Sequence, residues 1–199
     1  MSAPSLPSNA SFVDYARRLQ AVLQSSDWSG VGRLALELSD CWRTGRQVFL
    51  CGNGGSAGNA IHLANDFLYG VSKTLGSGLR VSALPANSSV LTCLANDEGY
   101  ESIFSMQLAV LGRRDDVLIA LSGSGNSPNI VKALEQAKAM GVRSYAILGY
   151  SGGKAKALAD VPIHFPVDDM QISEDLQLIV GHMVMQWLWA NPVGSGRRV

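Results

Sequence analysis

Cys51-Gly52-Asn53-Gly54-Gly55-Ser56-Ala57-Gly58-Asn59-Ala60-Ile61-His62-Leu63-Ala64-Asn65-Asp66 decides the fold. Gln47 to Cys51 before it is an apolar run of strand length, and Ala57 to Leu68 after it reads as a helix. The glycine turn between them, closed by Ser56, lets successive backbone N–H groups face one point. The helix start adds partial positive charge. These are the properties of an anion site, usually a phosphate site. His62 and Asp66 follow at i,i+4 and share one helix face. A cradle, a histidine and a carboxylate in one unit point to a phosphorylated substrate.

Upstream, Phe12, Tyr15, Leu19 and Val22 recur at helical spacing within Asn9 to Ser25, as do Val31, Leu34, Leu38 and Cys41 within Asp27 to Arg43. Two amphipathic helices therefore precede the first strand, to cover the sheet or to meet another subunit. Downstream, a glycine-rich link at Gly76-Ser77-Gly78 leads to a strand, Leu79 to Leu84. A helix from Asn87 to Leu94 runs into a polar turn at Ala95 to Tyr100, and Ser102 to Leu111 reads as another helix. Asp116 to Leu121 is a nearly continuous apolar strand. Ser122-Gly123-Ser124-Gly125-Asn126-Ser127-Pro128-Asn129 follows and opens a helix to Met140. Arg143 to Leu148, a short helix to Leu158, Val161 to Phe165, and a last helix from Gln171 to about Ala190 complete the alternation, with Asp168-Asp169 as its cap.

Strands alternating with helices imply βαβ units and a parallel sheet covered on both faces. Ligands of such sheets bind at the carboxyl ends of the strands, where both Gly/Ser loops fall. The 199 residues suit one domain, expected over 9–192 between mobile tails at 1–8 and 193–199. Apolar residues make up 47% and charged residues 16%, a globular composition. Sixteen basic residues balance sixteen acidic ones, which gives no support to nucleic-acid binding or a polybasic membrane contact. No apolar run approaches the ~20 residues of a spanning helix. No signal peptide is visible, and the three cysteines read as reduced, mostly core thiols, so a cytoplasmic protein is expected.

Gly52-Asn53-Gly54-Gly55-Ser56-Ala57 fits the dinucleotide pattern G-x-G-x-x-A, a weak signal alone. The second strand ends in Leu84-Pro85-Ala86 and lacks the acidic residue a ribose needs. The second loop favours a single phosphate, because Ser122, Ser124 and Ser127 crowd hydroxyls beside backbone N–H groups at a helix start.

CGNGGSA after one strand, SGSGNSPN after another and an Asn-Asp turn between them resemble the sugar isomerase (SIS) domain, most of all its phosphoheptose isomerase branch. The resemblance covers nearly the whole chain. It implies an α/β fold with a five-stranded parallel sheet in a flavodoxin-like three-layer arrangement. It implies a homotetramer with sites between subunits and one zinc ion per subunit. The implied reaction is aldose–ketose isomerisation of sedoheptulose 7-phosphate to D-glycero-D-manno-heptose 7-phosphate, for lipopolysaccharide. Substrate-binding roles then fall on Asn53, Gly54, Gly55, Ser56, Asn96, Asp97, Ser122, Ser124, Ser127 and Glu174. Asp66 and His182 take the catalytic roles, and His62, Asp66, Glu174 and His182 the metal.

The chain also departs from that pattern. Asp66 replaces a glutamate and Glu174 a glutamine. Gln177 stands where a second histidine is common, and Gly123 where threonine is usual. Leu68-Tyr69-Gly70 occupies the place of a frequent arginine. A different class also resembles this branch: non-catalytic SIS regulators that bind sugar phosphates and a replication initiator.

Overall fold

The computed structural model describes residues 9–73 and 78–193. The expected tail at 1–8, residues 194–199 of the tail expected at 193–199, and Gly76-Ser77 of the link lie outside the described residues. The helices are α1 (Asn9–Ser25), α2 (Ser29–Thr44), α3 (Gly55–Leu68), α4 (Ser88–Asp97), α5 (Ser105–Leu111), α6 (Pro128–Met140), α7 (Gly153–Leu158) and α8 (Met170–Ala190). The strands are β1 (Gln47–Gly52), β2 (Arg80–Ala83), β3 (Val117–Ser122), β4 (Arg143–Leu148) and β5 (Val161–His164), all parallel in the order β2-β1-β3-β4-β5.

Alternation along the strands builds two cores. Val48 and Leu50 of β1 face α2, α3 and α8, packing with Leu34, Leu38, Leu63, Phe67, Leu176 and Val180. Phe49 and Cys51 point the other way, into a cluster with Phe104, Leu108, Ile130 and Leu134 from the α5 and α6 side. Every residue of β3 is buried, as expected when helices cover both faces. The chain leaves β1 toward β2 on one side and returns to β3 on the other. The carboxyl ends of β1 and β3 therefore flank the switch point where ligands of this architecture bind.

α1 has no buried residue of its own. Tyr15, Leu19, Val22 and Leu23 pack partly against the first core. Tyr15 Oη donates to Asp175 at 2.6 Å, and Arg18 pairs with Asp169 at 2.5 Å, so α1 is fastened to α8. Among the described residues no helix is long and apolar enough to cross a membrane.

Some elements differ from the sequence reading. α4 continues through Asn96 and Asp97, which lie in its last turn and not in a polar loop. Gly99, at φ 90°, follows that helix, and a 3-10 turn at Tyr100–Ser102 precedes α5. Asp169 alone caps α8, accepting the Ile172 N–H at 3.0 Å. Cys93 is exposed, whereas Cys41 and Cys51 are core residues whose thiols burial pushes up to about 12.

Candidate active site

The turn after β1 is tight because Gly52 lies against the next element. A Cβ there would come within 2.5 Å of the Ser56 carbonyl oxygen. Gly54, at φ 54°, then aims the chain into α3, a conformation that costs glycine little. Ser56 is buried just inside the helix. After β3, Ser122 Oγ accepts the Gly125 N–H at 3.0 Å and Ser124 Oγ accepts the Asn126 N–H at 3.3 Å. Each oxygen is thus held by the backbone while its own hydrogen remains to be donated. Ser127 precedes α6, and its side chain makes no capping bond.

Asn53, Gly54, Gly55, Ser56, Ser122, Gly123, Ser124, Ser127, Met170 and Glu174 line one cavity of about 270 Å³ between the two loops. The first loop, the serine loop and Glu174 of the expected substrate set thus meet. Asn96 and Asp97 do not line this cavity; they are exposed, and Asn96 donates to Asp97 at 2.7 Å. A Cβ at position 123 would lie 2.6 Å from the Met170 sulfur, so a side chain there requires Met170 to move.

Sequence reasoning missed Asn129. It is 1% exposed and pairs with Asn53 through two hydrogen bonds between the side-chain amides, of 2.8 and 2.7 Å. Tyr100 Oη adds a bond to Asn53 Oδ1 at 3.2 Å. The side chain of Asn53 therefore clamps one loop to the other. The second asparagine of SGSGNSPN was the available signal, hidden by its helix-start position.

His62 and Asp66 project from one face of α3, as their spacing requires. His182 reaches them from α8 because Gly181 allows the two helices to touch. A Cβ on Gly181 would lie 2.2 Å from Leu63 Cδ2. His62 Nε2 and His182 Nε2 are 3.0 Å apart, and each is 3.4 Å from Asp66 Oδ2. The imidazoles are about half exposed while the Asp66 side chain is 15% exposed, so the cluster is open to a ligand on the histidine side.

Zinc donors at ~2.0–2.1 Å in a tetrahedron lie about 3.3–3.4 Å apart, close to the separations seen here. Two imidazoles and one carboxylate are also a suitable donor set, with one position left for substrate. These three residues fit the metal. Glu174, expected as a fourth ligand, does not join them. Its carboxylate lies over the α3 start, within 2.5 Å of where a Gly55 Cβ would sit. It stands eight positions before His182 on α8, more than two helical turns away.

Residues 11–149 match the SIS domain family over most of the chain. The chain belongs to the SIS domain family. Within that SIS family, a phosphoheptose isomerase of Akkermansia muciniphila is 40% identical over 156 residues, covering 78% of this chain and 82% of the relative. A phosphoheptose isomerase of Helicobacter pylori is 41% identical over 138 residues, covering 69% and 71%. The solved phosphoheptose isomerase of Neisseria gonorrhoeae superposes with a TM-score of 0.81 at 29% identity, covering 90% of this chain and 95% of that one. That of Francisella tularensis gives 0.84 at 24% identity, a likeness of fold. This SIS protein is thus of the aldose–ketose isomerase branch, and the regulator reading finds no support among these relatives.

Proposed function

We propose that the protein interconverts sedoheptulose 7-phosphate and a heptose 7-phosphate, in heptose biosynthesis. One observation carries this reading: α3 and α8, which supply Ser56, Met170 and Glu174 to the wall of the hydroxyl-lined loop cavity, also carry the His62–Asp66–His182 cluster. The loop cavity receives the phosphate through Ser56, Ser122, Ser124 and Ser127 and the N–H groups at the starts of α3 and α6. That grip orients the distant carbonyl end toward the cluster.

The Asp66 carboxylate removes the proton from the carbon next to the carbonyl and returns it to the neighbouring carbon. The enediol between these steps needs its oxygens protonated in turn, and His182 Nε2 carries that proton. Zinc, if held by His62, Asp66 and His182, would supply Lewis-acid polarisation of the carbonyl and take over from the His182 proton the stabilisation of the enediol oxygens. Phe12 and Val13 on α1 and Trp187 and Trp189 on α8 leave exposed apolar area, which supports the homotetramer that the family resemblance implies.

Turnover of sedoheptulose 7-phosphate, with and without added zinc, tests the reading. The wild-type protein is expected to be active, and Asp66→Asn is expected to lower kcat at least about a hundredfold, within the range of a lost general base. Undiminished turnover by Asp66→Asn would remove Asp66 from the base role. No wild-type turnover, with sugar phosphate still raising the melting temperature, would make this a binding protein.

A further inference from the structure

Ser56 Oγ, in the wall of the loop cavity, accepts a hydrogen bond from Gln177 Nε2 at 3.0 Å. Gln177 is 1% exposed. Its Oε1 accepts from Asn59 Nδ2 at 3.0 Å, and the same nitrogen donates to the Glu174 main-chain carbonyl at 3.0 Å. A carbonyl can only accept. It therefore fixes which end of the Asn59 amide faces it. Asn59 presents its nitrogen to Gln177, which answers with its oxygen. The Gln177 nitrogen is left toward Ser56 and can only donate there. Turning either amide over would set donor against donor, or acceptor against acceptor, in a buried place. A direction is thus passed from the α8 backbone through two side chains to one hydroxyl.

A serine hydroxyl has a single hydrogen. Gln177 occupies one of the Ser56 lone pairs, and among the described residues Ser56 Oγ donates to no protein acceptor. The cavity is the direction left for that hydrogen. We infer that Gln177 is a positioning residue that holds Ser56 as an obligatory donor to an acceptor-only group, a phosphate or phosphomonoester, in the loop cavity. The inference rests on the phosphosugar reading above. Gln177 does not line the cavity and acts through Ser56. An imidazole N–H can donate in the same way, so histidine is the conservative replacement.

Binding of inorganic phosphate and of sedoheptulose 7-phosphate to the full chain, measured by calorimetry with turnover alongside, tests this. Ser56→Ala is expected to weaken phosphate binding roughly tenfold, the worth of one hydrogen bond to a charged acceptor. Gln177→Met removes the donor at nearly constant volume. It is expected to weaken binding by roughly three- to tenfold, as a raised KM with kcat nearly unchanged, because the phosphate is held equally in ground and transition states. Gln177→His restores most of the affinity. In the Ser56→Ala background Gln177→Met adds no further loss.

Wild-type affinity in Q177M, an equal loss in the Ser56→Ala background, or a folded Q177H with no recovery would each overturn the inference. If Q177M does not fold, Asn59→Ala, which frees the Gln177 amide to turn over, carries the same expected loss. A wild-type protein that binds neither phosphate nor phosphosugar ends both this inference and the reading beneath it. Wild-type binding with a neutral Q177M ends this inference alone.

Discussion

Asn53 and Asn129 show how much of the site depends on a pair that touches no reacting atom. Each amide satisfies the other across the gap between the loops, and Asn129 is buried. Asn53→Ala leaves the Asn129 amide without its partner and is expected to cost about 1–3 kcal/mol in a urea titration. Asn53→Ala with Asn129→Ala is expected to cost less than the sum of the single changes, because the second removes the stranded group. Residues that act on near neighbours are legible in the sequence. Ser56, His62 and Asp66 belong to one turn and one helix face, and local spacing places them. Asn129 is not legible in this way. Its partner lies 76 positions away, and no local pattern distinguishes a clamping asparagine from one that opens a helix. Gln177 was visible as a departure, but its purpose required the Asn59 amide, 118 positions distant.

Among the elements, α3 and α8 carry the His62–Asp66–His182 cluster, and their close approach depends on one missing side chain. Gly181→Ala would drive a methyl group into Leu63, so the helices must part. The expected cost is roughly 1–3 kcal/mol, the usual range for overpacking. Parting them also separates His182 from His62, so zinc affinity, read by chelator competition, is expected to fall. Gly32, inside α2, is the control, because a Cβ there meets nothing within 4 Å. Gly32→Ala is expected to raise stability by up to about 1 kcal/mol through helix propensity and to leave zinc affinity alone. Most element boundaries follow from periodicity, and β4 spans Arg143–Leu148 as the sequence reading has it. The end of α4 does not. Asn96 and Asp97 favour turns by local chemistry, yet the helix holds them, with Glu98 N–H bonded to the Leu94 carbonyl.

For the molecule as a whole, the attachment of α1 to α8 is bounded by pH on both sides. Arg18, and then the Ile172 N–H, hold the Asp169 carboxyl below the usual range. The folded state thus favours the ionised form. That stabilisation is complete above the unfolded value, near 3.9, and is lost as pH falls through the lower folded value. Burial, and then the bond to Asp175, pushes the Tyr15 phenol up to about 12. The folded state here favours the protonated form. Its contribution is complete below about pH 10 and is lost as pH rises toward 12. Melting temperatures across pH are expected to fall at both ends. Asp169→Asn, which keeps a capping side chain, is expected to flatten part of the acid limb, and Tyr15→Phe the alkaline limb.

His62 and His182 stand 120 positions apart, and the second lies in α8, the last helix among the described residues. A ribosome adding ~5–20 residues per second needs roughly 6–24 seconds to pass from one to the other. Throughout that interval the nascent chain already contains the first loop and α3 but has no partner for His62. A message cut short or a protease clipping the last helix leaves a product without the cluster. The His62–Asp66–His182 cluster therefore exists only once α8 has been made and has packed against α3, so α8 vouches for the site.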